Sequence, residues 1–352
     1  MQYERRPRLT PAIADVRRAV RAVLPADGLV LVGLSGGADS LALAAAAAFE
    51  AHRAASGGVR AGAVIVDHGL QARSADVAAT AAAQARGLGL HPVLVLAIDV
   101  PSGTDGPEAA ARDARYAAFE RALAQTGAVA VLLGHTLDDQ AETVLLGLAR
   151  GSGPTSLHGM AARSGPWLRP LLGIRRAQTH QFCADAALTP WHDPQNLDPR
   201  YARVRVRQAV LPMLERELGP GIREALARTA EQLREDADAL DALVPALLDG
   251  LPAGLPAGRA PGCRLPAADL ERQPAALRQR MIRAAVQRTF GISLDRTHTL
   301  MAARLVTDWH GQGALDLAGV RVVRQDGDLV FSSPGPAPIE GHFRSHGTPR
   351  HS

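Results

Sequence analysis

The apolar run Gly28–Leu34 (GLVLVGL) passes without interruption into Ser35-Gly36-Gly37-Ala38-Asp39-Ser40 and then into the alanine-rich stretch Leu41–Phe49. A buried strand, a glycine turn and a helix in immediate succession leave few folds open. Gly36 and Gly37 permit unusual dihedrals and close backbone approach, and the free amides at the helix start, aligned with its dipole, face any anion at the strand's end. Ser35 and Ser40 add hydroxyl donors, so residues 35–40 are expected to cradle phosphate. Asp39 would repel that phosphate unless a cation lay between them, which points to a Mg²⁺ ligand; the plainer alternative is a helix cap.

The rest of the first half repeats the strand–helix rhythm. Ala61–Asp67, Pro92–Ile98 and Ala128–Gly134 read as further buried parallel strands, and Glu108–Gln125 and Asp138–Arg150 as crossover helices. An α/β fold with an open, doubly wound parallel sheet is expected, with ligands at the C-terminal strand ends. At 352 residues and 47% hydrophobic, the chain can bury two cores. It has no apolar run of the roughly 20 residues that a membrane-spanning helix needs, and no membrane association is expected. Nor does a signal core follow the basic N-terminus, so a soluble, cytoplasmic protein is expected.

All 39 cationic Lys and Arg positions are arginine. A Walker A loop requires Gly-Lys-Ser/Thr, so a P-loop NTPase is excluded, and phosphate contacts fall to backbone amides, arginine and metal. The net charge of +4 permits nucleic-acid binding. Two cysteines, Cys183 and Cys263, are too few for a cysteine-based zinc site.

After about Pro212 the character changes. Glu217–Leu248 reads as a charged helical connector and Leu251–Gly262 as a Pro/Gly linker. Helices around Ala275–Arg288 and Leu294–Asp308 then lead to a hairpin turning at Asp326-Gly327. The expected layout is a catalytic domain over 1–217, a connector and linker over 218–262, a smaller, mostly helical domain with a terminal β-hairpin over 263–333, and a disordered tail over 334–352.

Several ordered segments carry a family resemblance. SGGADS matches the SGGxDS signature of the PP-loop ATP pyrophosphatases, whose domains are adenine nucleotide alpha hydrolase-like. VDHGLQARS (66–74), ARDARYAAF (111–119), GHTLDDQAET (134–143), RGSGPTSLHGM (150–160), RPLL (169–172), HDPQN (192–196) and RVRVRQAVLPML (203–214) resemble, in order, segments of the tRNA(Ile)-lysidine synthetase family. The departures are Gln71 for Arg, Thr136 for His, Ser156 for Gly, Val204 for Asn and Gln208 for His.

Read as residues, His135 ends a strand and points into the cleft, while Asp138, Asp139 and Glu142 crowd the first turns of the next helix. Three acids there can simply complement the dipole; they can also form a negative pocket for a cationic amine or Mg²⁺. Arg203, Arg205 and Arg207 share one face if the segment is a strand, whereas only Arg203 and Arg207 align on a helix; a solvated basic face is the bland reading. The resemblance implies ATP binding by Ser35, Gly36, Gly37, Ala38, Asp39 and Ser40, and catalytic roles for Asp39, Arg112, Arg115, His135, Asp138 and Asp139. It implies substrate or phosphate contacts from Glu142, Arg203, Arg205 and Arg207.

The implied reaction is ATP-dependent ligation of L-lysine to C2 of cytidine 34 in an isoleucine tRNA with a CAU anticodon, with Mg²⁺ assisting. Oligomeric state stays open, a homodimer being one option. The competing readings are a PP-loop tRNA thiolase, which needs reactive or cluster-binding cysteines, and a non-catalytic RNA-binding protein.

Overall fold

The computed structural model describes residues 9–53, 58–69, 73–98, 107–151, 154–250 and 262–333. The chain divides into two compact units, Met1–Arg234 and Glu235–Ser352.

The first unit is built on a six-stranded sheet: β1 (Gly28–Gly33), β2 (Val59–Asp67), β3 (Val93–Ala97), β4 (Ala130–Leu133), β5 (Arg163–Ser164) and β6 (Trp167–Leu168), in the order β3-β2-β1-β4-β6-β5. All neighbours are parallel except the small β5–β6 hairpin. Alternate residues of β1 enter opposite cores, Val30 and Val32 on one face and Leu29 and Leu31 on the other, as expected of a strand covered on both sides.

Helices α1 (Pro11–Arg21), α2 (Ala38–Arg53), α3 (Ser74–Gly87) and α7 (Arg176–Asp185) line the Val30 side. Helix α4 (Pro107–Thr126) covers the other with Phe119 and Ala122. Helix α2 buries Ala42, Ala46 and Ala47, small side chains that let it lie close on the sheet. Thr10 caps α1 with its hydroxyl, and Pro11 opens it where no backbone donor is needed.

The direction of sheet construction reverses between β1 and β4, the switch point at which open α/β sheets bind ligands. Gly134 lets the end of β4 close on the first turn of α2: a Cβ placed there would lie 3.1 Å from the backbone N and Cα of Ser40. Helix α5 (Leu137–Arg150) leaves β4 from this point, followed by the single turn α6 (Pro154–Leu157).

Beyond α7, the arginine-rich segment is helical, resolving the strand-or-helix alternative. It comprises α8 (Ala202–Arg205), a π-helical turn at Val206–Val210 and α9 (Leu211–Leu218). Val206 and Leu211 pack against Ala141 of α5 in a small core of their own. Helix α10 (Ile222–Asp249) contains the division between the two units, inside the stretch expected as connector. Residues 251–261 of the expected linker and the expected tail from 334 lie outside the described residues, as do Gln71, Ser152 and Gly153.

The second unit carries β7 (Gly262–Pro266), α11 (Ala267–Arg272), α12 (Ala275–Phe290), α13 (Arg296–Thr307), β8 (Leu315–Leu317), β9 (Val320–Gln325) and β10 (Asp328–Ser332). The expected hairpin is present: Asp326 and Gly327 both take positive φ between β9 and β10, as a type I′ turn demands. It forms the middle of a four-stranded antiparallel sheet, β7-β10-β9-β8, so this unit holds more strand than the hairpin alone. Phe331, Leu329 and Val322 bury one sheet face against Ile282, Val286 and Leu305. No helix among the described residues is long and apolar enough to cross a membrane.

Candidate active site

A cleft of about 840 Å³ opens at the β1/β4 switch point, lined by the 35–40 loop, the end of β4, Arg112, Arg115 and Tyr116 of α4, and Arg176, His180, Trp191, Arg203 and Arg207. The loop is held in shape from within. The Ser40 hydroxyl donates to the Gly37 carbonyl (3.0 Å), accepts the Ser35 amide (3.2 Å) and lies 3.0 Å from the Ser35 hydroxyl. Ser40 is buried, so it shapes the cradle. Gly36, at φ +85°, carries the turn, and its carbonyl accepts the Trp191 amide at 2.9 Å.

Asp39, the second residue of α2, faces the cleft. Thr179 donates a short hydrogen bond to its Oδ1, and Arg176 Nε stands 3.5 Å from its Oδ2. Burial raises the Asp39 carboxyl above its ordinary range, against the pull of Thr179 and Arg176 toward ionisation.

The two neighbouring aspartates divide. Asp139 lines the cleft. With Thr136 it forms a capping box: its Oδ2 accepts the Thr136 amide and hydroxyl, both at 2.8 Å. Burial works against ionisation of Asp139, but the Arg176 guanidinium and the Thr136 hydrogen bonds outweigh it and hold the carboxyl below its usual value. Asp138 instead braces the helices behind: it accepts the Arg176 backbone amide at 2.8 Å and pairs with Arg223 (3.3 Å) and Arg175 (3.4 Å).

Glu142 is 0% exposed. Arg207 grips it at 2.8 and 3.1 Å, Arg176 reaches it at 3.1 Å and Arg203 at 3.7 Å. Arg203 also donates to Thr143 at 2.9 Å. The helical register thus turns Arg203 and Arg207 inward, four residues apart. Arg205 points elsewhere, donating to the Pro199 and Arg200 carbonyls at 2.7 and 2.8 Å, and does not line the cleft.

His135 faces the cleft from the end of β4. Burial lowers its pKa to about 4; the nearby arginines push the same way and Asp139 opposes them. It is therefore neutral at pH 7 and a weak proton acceptor. Arg112 lies over the Tyr116 ring, 4.9 Å from its centroid. The Tyr116 hydroxyl accepts from buried Arg169 at 3.2 Å, which explains the arginine of RPLL as a strut under α4.

Arg176, Thr179 and Trp191 belong to the site but stand in none of the segments that signalled it. Only the position of Trp191, next to His192, gave a cue. Among the described residues no set of three His, Cys, Asp or Glu side chains has metal-binding geometry. A lone cleft-facing carboxylate such as Asp39 fits a hard cation that keeps most of its waters, rather than a closed cage. Cys183 is buried, its thiol pushed up to about 11 chiefly by burial and further by Asp39, and Cys263 belongs to the other unit.

Cradle, switch point and carboxylates together define a nucleotide-binding α/β protein of the PP-loop class. In agreement, the family described as "PP-loop domain" matches residues 13–214, and that described as "TilS substrate binding domain" matches residues 265–330. The tRNA(Ile)-lysidine synthase of Leifsonia xyli subsp. xyli is 61% identical over 308 residues, covering 88% of this chain and 91% of the relative. That of Thermobifida fusca is 51% identical, covering 92% and 98%. The chain belongs to the tRNA(Ile)-lysidine synthase family. The solved U34-tRNA thiolase NcsA from Methanococcus maripaludis shares the fold, with a TM-score of 0.52 at 21% identity over 64% of this chain and 80% of that one.

Proposed function

We propose that this protein is a tRNA(Ile)-lysidine synthase, an ATP-dependent carbon–nitrogen ligase that joins lysine to C2 of cytidine 34 in a CAU-anticodon isoleucine tRNA. The reaction is placed in the cytoplasm, where ATP, lysine and tRNA meet. The observation that carries this reading is 61% identity across 88% of the chain to a protein of that name. The cleft supports it by setting a phosphate cradle opposite a set of carboxylates.

In the first step the C2 oxygen of cytidine attacks the α-phosphorus of ATP, the bond to the bridging oxygen breaks and pyrophosphate leaves. In the second, the lysine ε-amine attacks C2, the C2–O bond breaks and AMP leaves. The amides of residues 36–40 hold the phosphates, and Arg203 and Arg207 lie within the same cleft to meet charge building on the leaving group. Mg²⁺, which Asp39 would hold, would neutralise charge on the phosphates.

The lysine side chain arrives as an ammonium of pKa near 10.4 and must lose a proton before attack. Asp139, kept ionised, attracts that ammonium; His135, with a pKa of about 4, orients rather than deprotonates it. The module at residues 265–330 supplies contacts to the tRNA body, in keeping with its substrate-binding description. The thiolase alternative needs sulfur chemistry, and two cysteines cannot supply three or four thiolates to a cluster.

The test combines purified protein, ATP, Mg²⁺, labelled lysine and CAU-anticodon isoleucine tRNA. Label should enter the tRNA in a linkage stable to mild alkali, with stoichiometric AMP and pyrophosphate. Sulfur transfer, or ATP turnover without lysine incorporation, would overturn the assignment.

A further inference from the structure

Arg176 opens α7, where the helix dipole disfavours a positive charge. Its guanidinium nevertheless sits in the cleft with its side chain only 18% exposed. Each of its three nitrogens faces a different carboxylate: Nη2 lies 2.7 Å from Asp139, Nη1 3.1 Å from Glu142 and Nε 3.5 Å from Asp39. These acids come from two helices that leave β1 and β4 at the switch point, and no other side chain reaches all three in this way among the described residues. The fold of α7 itself is held by other contacts, the Arg176 backbone amide on Asp138 and a hydrophobic face carrying Phe182 and Cys183. The three acids thus hold the side chain against the dipole's preference.

We propose that Arg176 is a resident cation of the acid pocket and is exchanged for the substrate ammonium once nucleotide phosphates offer the guanidinium a second partner. Guanidinium binds carboxylate and phosphate in the same planar, forked manner, so the exchange replaces one set of charge-assisted hydrogen bonds with another. Asp139 passes from Arg176 to the incoming ammonium while Glu142 stays with Arg207, so neither stands unpaired, a state that is costly for buried charge. Binding is ordered as a result: amine is kept weak until nucleotide is present, and Arg176 positions the acids' charge rather than taking part in bond making. This inference rests on the reading that the second substrate is an amine.

The experiment separates a resident cation from a mere brace by the sign of one effect. L-Lysine and α,β-methylene-ATP are titrated calorimetrically into wild type, Arg176→Met and Arg176→Lys, each checked for a cooperative thermal transition. Removing a competing cation should tighten nucleotide-free lysine binding on the order of tenfold, while weakening the ATP analogue by a similar factor. Arg176→Lys, which keeps one charge but loses the fork, should fall between for both ligands; if Arg176→Met does not fold, this variant and Arg176→Gln decide the matter by the same signs. If Arg176 only braces the acids, both affinities fall together. Unchanged or weaker lysine binding in a folded variant, or unchanged analogue binding, overturns the proposal. Labelled-lysine transfer by the wild type reports on the amine reading separately: transfer without the opposed shifts defeats the exchange and leaves the enzyme assignment intact, and absence of both defeats each.

Discussion

Arg207 holds Glu142 with two nearly parallel hydrogen bonds, Nε at 2.8 Å and Nη2 at 3.1 Å from the two carboxylate oxygens, and Glu142 has no exposure to solvent. This pair fastens the π-helical turn between α8 and α9 to α5. Truncating one partner of such a pair strands the other charge. Glu142→Ala should therefore destabilise the protein by about 3 kcal/mol, measured as a lowered denaturant midpoint, since Arg176 and Arg207 are left facing each other. A double-mutant cycle with Arg207→Ala should give a coupling above about 1 kcal/mol. A cycle that sums to zero would mean that the grip has no energetic content.

Asp39→Asn should keep the fold and slow pyrophosphate release by about a hundredfold, roughly 3 kcal/mol of transition-state stabilisation. The amide preserves the Thr179 contact geometry while removing the charge that suits a metal ion. Near-wild-type turnover would take Asp39 out of the chemistry.

His135 makes the stability of the fold depend on pH. Its pKa is about 4 in the folded protein against about 6.5 when unfolded, so between those values the unfolded chain binds more protons. Its contribution to stability is lost as pH falls from 6.5 toward 4, by up to about 3 kcal/mol. His135→Gln should flatten that part of the stability profile. A variant that loses stability over the same window as wild type would place the titration elsewhere.

Cys183→Ser combined with Cys263→Ser should retain most lysine-transfer activity. The Cys183 thiol, raised to about 11, stays protonated at neutral pH and should resist alkylation until the protein unfolds. Loss of transfer at unchanged thermal stability would favour sulfur chemistry.

The parallel strands and the phosphate cradle were legible because both announce themselves locally, as apolar runs of strand length and as glycines between a strand and a helix. The arginine run was not: alternation suits a strand, and only packing of Val206 and Leu211 on α5 selects the helix that turns Arg205 away. The roles of Asp138 and Asp139 were half legible. Thr136 and Asp139 have capping-box spacing, which fixes Asp139 at the helix start; the partners of Asp138 lie at Arg175, Arg176 and Arg223. Arg176 left no local trace, because its three carboxylates come from residues 39, 139 and 142 and nothing near it in sequence signals them. The two-residue strands β5 and β6 were too short to show a period.

The division of labour between Asp138 and Asp139 sets a limit on how this chain can vary. An α-helix advances about 100° per residue, so one residue inserted between Gly134 and Asp138 would carry Asp138 to the place of Asp139 in the cleft, and one deleted would carry Asp139 back to the place of Asp138 on the brace. Elsewhere, surface connections tolerate changes of length at small entropic cost. Here the tolerated length is a single value, and an alignment of functional family members should show no gap at this junction, however freely the other loops expand and contract.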